Sequence, residues 1–589
     1  MSSTQAKTAE RPRAFNPPFR PVLLVWALLL AGLCGVVAVT GSLDRPTWSA
    51  EAFFFWRQDL PVLALSSAAL VVLGLIRPDA LKRLRLVWVS DRRVVLALAA
   101  VCFVAGLAGV WLVFQGYVFS LDEFLADFDA QIFARGQLMA PVPPAWRNFV
   151  PAMQPMYMLP LPDSLWASSY LPVNAALRAI GRLAHVEDLV NPLLSAFSVV
   201  AVWAIGRRLW PERGALALVA AALLATSSQL IVTAMTAYAM PAHLAFNLAW
   251  LWLFLRGGRA GHAGAIAVGF LASGLHQLVF HPIFAAPFIL RLWFRRQWGL
   301  AALYTVAYAL ICLFWVAYWP LVTHLAHVPP GDESTGGELL MDRIQDTLDA
   351  LSWRSPGVMA EGLIRFIAWQ NPLTAPLAAI GAVAAMWTKG PLRALVFGVF
   401  LTLAAMAVAS PTQTHGWGYR YLHGLLGSIS LVAAWGWARL TDALPVTRRA
   451  AAGAALALAC AFSLLVLTPI RAWQAWDYVR PYAAANAAIQ AAGADVVVID
   501  HDSQVLFDMG TLTRNDPFLE RSPKVMALIG LSPPLLRELC ASHSVLIFDG
   551  ESAASFGVPV KPQRVHPGIA RVRHYMAALG CGRRMGKGG

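Results

Sequence analysis

Val94-Val95-Leu96-Ala97-Leu98-Ala99-Ala100-Val101-Cys102-Phe103-Val104-Ala105-Gly106-Leu107-Ala108-Gly109-Val110-Trp111-Leu112-Val113-Phe114 carries no charge, and six residues later the chain reads Ser120-Leu121-Asp122-Glu123-Phe124. An uncharged apolar run of this length forms a helix of roughly 30 Å, the thickness of the hydrocarbon core of a bilayer. Two adjacent acids at the mouth of such a span cost several kcal/mol unless they face water, a partner or a substrate. A bland account is that Ser120 or Asp122 caps the helix that follows, where acids favour the positive end of the dipole. Their place at a span's outer mouth favours chemistry.

Similar runs recur from Pro21 to about Pro469, and with 58% hydrophobic and 13% charged residues the chain is a polytopic membrane protein. The spans expected are about 21–43, 60–76, 94–114, 189–206, 214–233, 241–255, 264–280, 282–294, 298–319, 372–388, 392–409, 419–438 and 450–468. The first follows a basic, Pro-rich tail without a small-residue cleavage site, so it reads as a span and not a removed signal. A formal charge of +14 would suggest nucleic acid in a soluble protein, but here 23 Lys and Arg sit in alternate segments, while the short outer connections hold only Arg45, Arg57 and Arg420. That asymmetry is the positive-inside pattern, so the N-terminus is expected inside and the C-terminal region outside, with no nucleic-acid partner. Lysine occurs only at 7, 82, 389, 524, 561 and 587 among many Arg and Ala, which points to a bacterium with a GC-rich genome, and the chain is expected in its cytoplasmic (inner) membrane.

The expected division is 1–93 (tail plus two extra spans), 94–469 (transmembrane core with outer loops 115–188 and 320–371) and 470–589 (a small outer α/β domain). In the first loop Leu121, Phe124, Leu125, Phe128 and Ile132 recur at helical spacing, which predicts an amphipathic helix lying on the membrane surface. Glu123, Asp127, Gln131 and Arg135 step along another face. In the second, Leu340, Ile344, Leu348 and Leu351 form a helical stripe, followed by an apolar run at 363–369, which suggests surface helices acting as a lid. In the third region 495–500 and 544–549 read as buried strands, preceded by helices near 481–492 and 533–542. Cys540 and Cys581 lie in this outer region, where the two can pair, whereas Cys34, Cys102, Cys312 and Cys460 fall inside apolar spans.

Asp122-Glu123-Phe124 with Asp129-Ala130-Gln131 and Phe133-Ala134-Arg135-Gly136, at the start of the first large outer loop, resembles the opening of bacterial GT-C glycosyltransferases. These are relatives of the dolichyl-phosphate-mannose protein mannosyltransferases and the lipid A aminoarabinose transferases. Trp166 through Pro172 resembles a later segment of that loop, with Ser169 where a basic residue is often found, and His415-Gly416-Trp417-Gly418-Tyr419-Arg420-Tyr421 resembles the aromatic-glycine-arginine motif of a late span. The likeness covers most of 94–470. Together with the spans and strands read above, the expected fold is an all-α polytopic GT-C membrane fold with about thirteen transmembrane helices, outer amphipathic helices and a small C-terminal α/β domain. The likeness implies a hexosyl- or pentosyltransferase that takes sugar from a polyprenyl-phosphate carrier to an acceptor glycan, lipid or protein, with inversion. Asp122 would be the base, Glu123 would orient the acceptor or share that role, and Arg420 would hold the phosphate, where a guanidinium fork suits the oxygens.

His243, His276, His281, His415, Tyr170 and Tyr419 are further candidates for holding donor phosphate or sugar, since polar groups at the outer ends of spans are functional candidates. The competing account of each His is an ordinary hydrogen-bonded packing residue. The residues demand no cofactor. A divalent cation is the one that would fit, but His324, His327, Asp332 and Glu333 have no standard ligand spacing. Asp500-His501-Asp502 after a strand reads as turn chemistry, and the C-terminal region is expected to help bind acceptor. The rival class is a transporter of lipid-linked sugars, disfavoured because the ionisable groups gather at one surface and no internal repeat is visible.

Overall fold

The computed structural model describes residues 19–41, 50–76, 80–81, 90–328, 354–388, 390–409, 413, 416–442, 444–500, 511–559 and 567–586. His415, Asp332, Glu333, His501, Asp502 and the stripe expected at 340–351 lie outside them.

The chain is helical at every segment expected to span. In order the helices are α1 (Phe19–Thr40), α2 (Ala52–Leu75), α3 (Asp91–Leu112), α4 (Leu121–Ala134), α5 (Val173–Leu183) and α6 (Val190–Leu209), then α7 (Gly214–Ala225) and α8 (Ser228–Ala234). There follow α9 (Met240–Arg256), α10 (Gly258–Ser273), α11 (Phe280–Phe294), α12 (Trp298–Leu325), α13 (Ser355–Ala368), α14 (Thr374–Met386), α15 (Pro391–Ala409), α16 (Leu426–Thr441) and α17 (Arg448–Gln490). Among the described residues seven of these are long and apolar enough to cross a membrane, eight if α7 and α8, bent by 56°, count as one span. The bend has a local cause: Ser227 opens a new helix, its side chain accepting from the Leu230 N–H at 3.2 Å. The separate helix expected near 481–492 is the end of α17, a helix of 43 residues that contains the last span and continues past it.

After α17 the chain forms a four-stranded parallel sheet, ordered β4-β3-β5-β6, from β3 (Val496–Ile499), β4 (Lys524–Ala527), β5 (Val545–Phe548) and β6 (Arg583–Arg584). A disulfide joins Cys540 to Cys581. Earlier, β1 (Ala140–Pro141) pairs with β2 (Leu165–Trp166) in the first outer loop.

The apolar stripe of α4 does not lie on a bilayer. Phe124, Leu125, Phe128 and Ile132 are buried in one core with Phe149, Met153 and Trp166 of the first loop and Val496, Met526 and Leu536 of the C-terminal region, so protein covers the face expected to meet lipid. At ~1.5–3 kcal/mol per buried side chain, this contact is a principal tie between the loop and the C-terminal region. Periodicity shows that a face is apolar and says nothing of what covers it.

The second span is locked in by charge. Asp59 in α2 is 1% exposed; it accepts from Arg365 Nε at 2.8 Å and Trp369 Nε1 at 2.9 Å, with Arg471 Nη2 at 3.4 Å. Arg471 also donates to the Gln58 and Ala368 carbonyls at 3.0 and 2.9 Å. The pattern of hydrophobic spans hides this cluster, because the partners of Asp59 lie 306 or more residues from it.

Candidate active site

A reciprocal cap sets the start of α4. The Glu123 carboxylate accepts from the Ser120 N–H and Oγ–H at 2.9 and 3.0 Å, and Ser120 Oγ in turn accepts from the Glu123 N–H at 3.3 Å. The other Glu123 oxygen accepts from the Ala237 N–H at 3.1 Å, and the side chain is fully buried. Burial pushes this carboxyl above its ordinary range, against the opposing bonds from Ser120 and Ala237. The expected role for Glu123, orienting an acceptor, does not fit a carboxylate whose oxygens are both engaged inside the protein. The helix-cap account holds for Ser120 and Glu123, which leaves Asp122 free to face the site.

Asp122 Oδ1 accepts from the Tyr170 hydroxyl at 2.6 Å, and Oδ2 pairs with Arg420 Nη1. Both side chains of the ion pair are 19% exposed, so solvent reaches them. Burial alone would raise the Asp122 carboxyl, but the Arg420 charge, then His276, then the hydrogen bonds from Tyr170 and Arg420 outweigh it and hold it at about 2. The same pairing holds the Arg420 guanidinium above its ordinary value despite its burial. Burial and the Asp122 charge raise the Tyr170 phenol, so it remains a donor.

Tyr170 is fixed from several sides. Its ring centre lies 4.0 Å from that of His276, and Trp319 Nε1 donates to its carbonyl at 3.0 Å. Upstream, Asp129 accepts from the Ser168 N–H at 3.1 Å and from its hydroxyl, which ties the 166–170 stretch onto α4. Burial pushes the Asp129 carboxyl up to about 6, against these two bonds. The likeness of Asp129 and Trp166–Pro172 to family motifs thus has a local reason: they bind each other.

Arg420 lies in a 3₁₀ turn, Arg420–Leu425, that leads into α16. Its N–H donates to Gln413 Oε1 at 2.6 Å, and Gln413 Nε2 donates to the Gly418 carbonyl at 2.8 Å. From α8, Gln229 Nε2 donates to the Tyr419 carbonyl at 2.9 Å and is itself held by Gln370 Nε2 at 2.9 Å on its Oε1. Gly418 has φ of 81°, and a Cβ there would meet Gln229 at 2.5 Å, so the Gly in this motif is demanded by both conformation and space. Gln229, Gln370 and Gln413 escaped the reading of the sequence, although for Gln229 an uncharged amide inside an expected span was a usable signal.

Behind Arg420, a cavity is lined by His243, Asn247, His276, Phe280, Arg420 and Tyr421, among others. His243 is 5% exposed, and neither of its ring nitrogens has a hydrogen-bond partner among the described residues; the same holds for Arg420 Nε. Buried donors and acceptors are rarely left so, which marks the cavity as a place for a polar guest.

Other expected residues fall elsewhere. His281 is fully buried with Nδ1 2.7 Å from Asn247 Oδ1 and Nε2 2.8 Å from the Tyr308 hydroxyl. Asn247 Nδ2 donates to the Gly424 carbonyl at 2.9 Å, so its Oδ1 must accept, His281 carries its proton on Nδ1, and Tyr308 donates to Nε2. His281 is therefore the packing residue of the bland account. Tyr419 is 1% exposed, with its hydroxyl 3.4 Å from Met359 Sδ and its ring against Gly362. No cluster of three or more His, Cys, Asp or Glu able to hold a metal occurs among the described residues.

No family profile and no curated protein matches the chain. Among solved structures it resembles ArnT from Cupriavidus metallidurans bound to undecaprenyl phosphate, at TM-score 0.48 and 14% identity, over 74% of this chain and 86% of that one. It also resembles apo ArnT from the same organism (TM-score 0.43, 12% identity, 74% and 86%) and an Archaeoglobus fulgidus oligosaccharyltransferase complexed with Zn and sulfate (0.33, 13%, 71% and 61%). The chemistry below is argued from this chain's own residues.

Proposed function

We propose that the protein is an integral-membrane glycosyltransferase that moves a sugar from a polyprenyl-phosphate carrier to an acceptor hydroxyl, at the periplasmic face of a bacterial inner membrane. The observation that carries the proposal is the Asp122 carboxylate bridged between Tyr170 and Arg420, at the edge of a cavity in which His243 and Arg420 Nε have no protein partner among the described residues. A carboxylate base beside a cation is what displacement of a phosphate from an anomeric carbon requires.

In this reading the acceptor oxygen attacks the anomeric carbon as its proton passes to Asp122. The bond from that carbon to the phosphate oxygen breaks, its electron pair stays on the phosphate, and the configuration inverts. A carboxylate held at about 2 by Arg420 is a weak base. When a donor phosphate takes the guanidinium for itself, the main stabilising charge moves off Asp122 and the carboxylate becomes more basic as substrate binds. Tyr170 keeps it aimed meanwhile, and His243 and His276 supply donors toward the phosphate or the sugar.

The test is release of free polyprenyl phosphate by purified protein from polyprenyl-phosphate sugars, in the presence of acceptor-containing membrane extract. Wild-type release that Arg420→Gln abolishes in a folded protein supports the reading. Vesicles that accumulate the intact lipid-linked sugar on one side, with no release, would replace it with a carrier.

A further inference from the structure

From the C-terminal region, the Arg514 side chain holds the turn that leads into Asp122. Arg514 follows the buried segment Thr511–Thr513 and is 6% exposed. Its Nη2 donates to the Phe119 carbonyl at 2.7 Å, Nη1 donates to the Val118 carbonyl, and Nε to the Thr511 carbonyl. The guanidinium lies 4.4 Å from the Tyr117 ring centre and 5.0 Å from that of Phe124, one on each side of Ser120. The Tyr117 hydroxyl donates to the same Thr511 carbonyl at 3.0 Å. Arg514 thus grips the two peptide units that lead into the cap, three residues before Asp122, across 396 residues of sequence.

We infer that Arg514 is a positioning residue for Asp122, and that through it the C-terminal region sets the aim of the base toward Tyr170 and Arg420. The inference rests on the glycosyl-transfer reading above. It gives this region a role distinct from the expected one in acceptor binding, since the contact is with the base's own turn. A planar fork can hold two successive carbonyls and stand between two rings, whereas an ammonium keeps the charge and loses that geometry.

Arg514→Lys therefore separates charge from geometry. In the polyprenyl-phosphate release assay kcat should fall about 10- to 100-fold, the loss that misplacement of a catalytic group by ~1 Å produces. The donor KM should stay within about twofold, because the donor cavity is untouched. Arg135→Gln cuts the exposed Arg135–Glu520 pair, another link between the first loop and the C-terminal region, and should leave kcat unchanged. Tyr117→Phe removes only the bond to Thr511 and should lower kcat several-fold at constant KM, so it decides the matter if Arg514→Lys does not fold. Wild-type kcat in folded Arg514→Lys, an equal loss in Arg135→Gln, or an effect on KM alone would each overturn the inference. Absence of sugar transfer by the wild type overturns instead the reading beneath it.

Discussion

Asp122→Asn and Glu123→Gln, two isosteric changes on neighbouring residues, should have opposite consequences. The amide introduced by Asp122→Asn keeps an acceptor for the Tyr170 hydroxyl but cannot take a proton, so turnover should fall ~10²–10⁴-fold, the usual contribution of a general base. At ~1.36 kcal/mol per tenfold, that is about 3–5 kcal/mol of transition-state stabilisation. The folded protein should lose less, about 1–3 kcal/mol for one charge-assisted contact, because both partners are 19% exposed and water can replace it. Glu123→Gln reverses this balance. Both carboxylate oxygens accept in the native cap, so one end of the Gln amide must present N–H to the N–H of Ser120 or Ala237. One buried donor without an acceptor costs about 1–3 kcal/mol, and α4 loses part of its cap. Thermal unfolding in detergent and polyprenyl phosphate release per folded molecule, measured on both variants, separate the two roles. A folded Glu123→Gln protein that no longer transfers sugar, beside an Asp122→Asn protein that does, would refute the assignment.

Asp59→Asn should destabilise the protein by about 3–5 kcal/mol, since it leaves Arg365 and Arg471 buried around a neutral group; a lowered unfolding temperature measures it. Gly418→Ala should cost about 1–3 kcal/mol of local strain at φ of 81° and push Gln229 away, raising the donor KM through a displaced Arg420. For pH, the folded Asp122 value is depressed, so its contribution to stability is present above the ordinary carboxylate range and is lost as pH falls toward about 2. The base form therefore persists in the free enzyme, and kcat/KM should show no acid limb from Asp122 above about pH 4. In Arg420→Gln the largest opposing charge is gone, so any residual activity should carry an acid limb at higher pH than the wild type; an unmoved limb would show that Arg420 does not set this carboxylate.

The sequence alone was enough for the helical membrane class, because spans of hydrocarbon length advertise themselves locally. It also located the start of α4, with Ser120 or Asp122 as the candidate cap, and both central strands of the C-terminal sheet, since caps and strand patterns are short-range. Asp122, Tyr170, His276 and Arg420 could be proposed one by one, but tertiary structure brought them together and separated them from His281 and Tyr419, whose hydrogen bonds and packing come from other helices. Only folding could divide the acidic pair. Neighbours on a helix point about 100° apart, so one carboxylate turned back to its cap and the other out to the site. What covers the apolar face of α4, and which cation grips the turn before it, depends on residues about 400 positions away, beyond the reach of any local pattern.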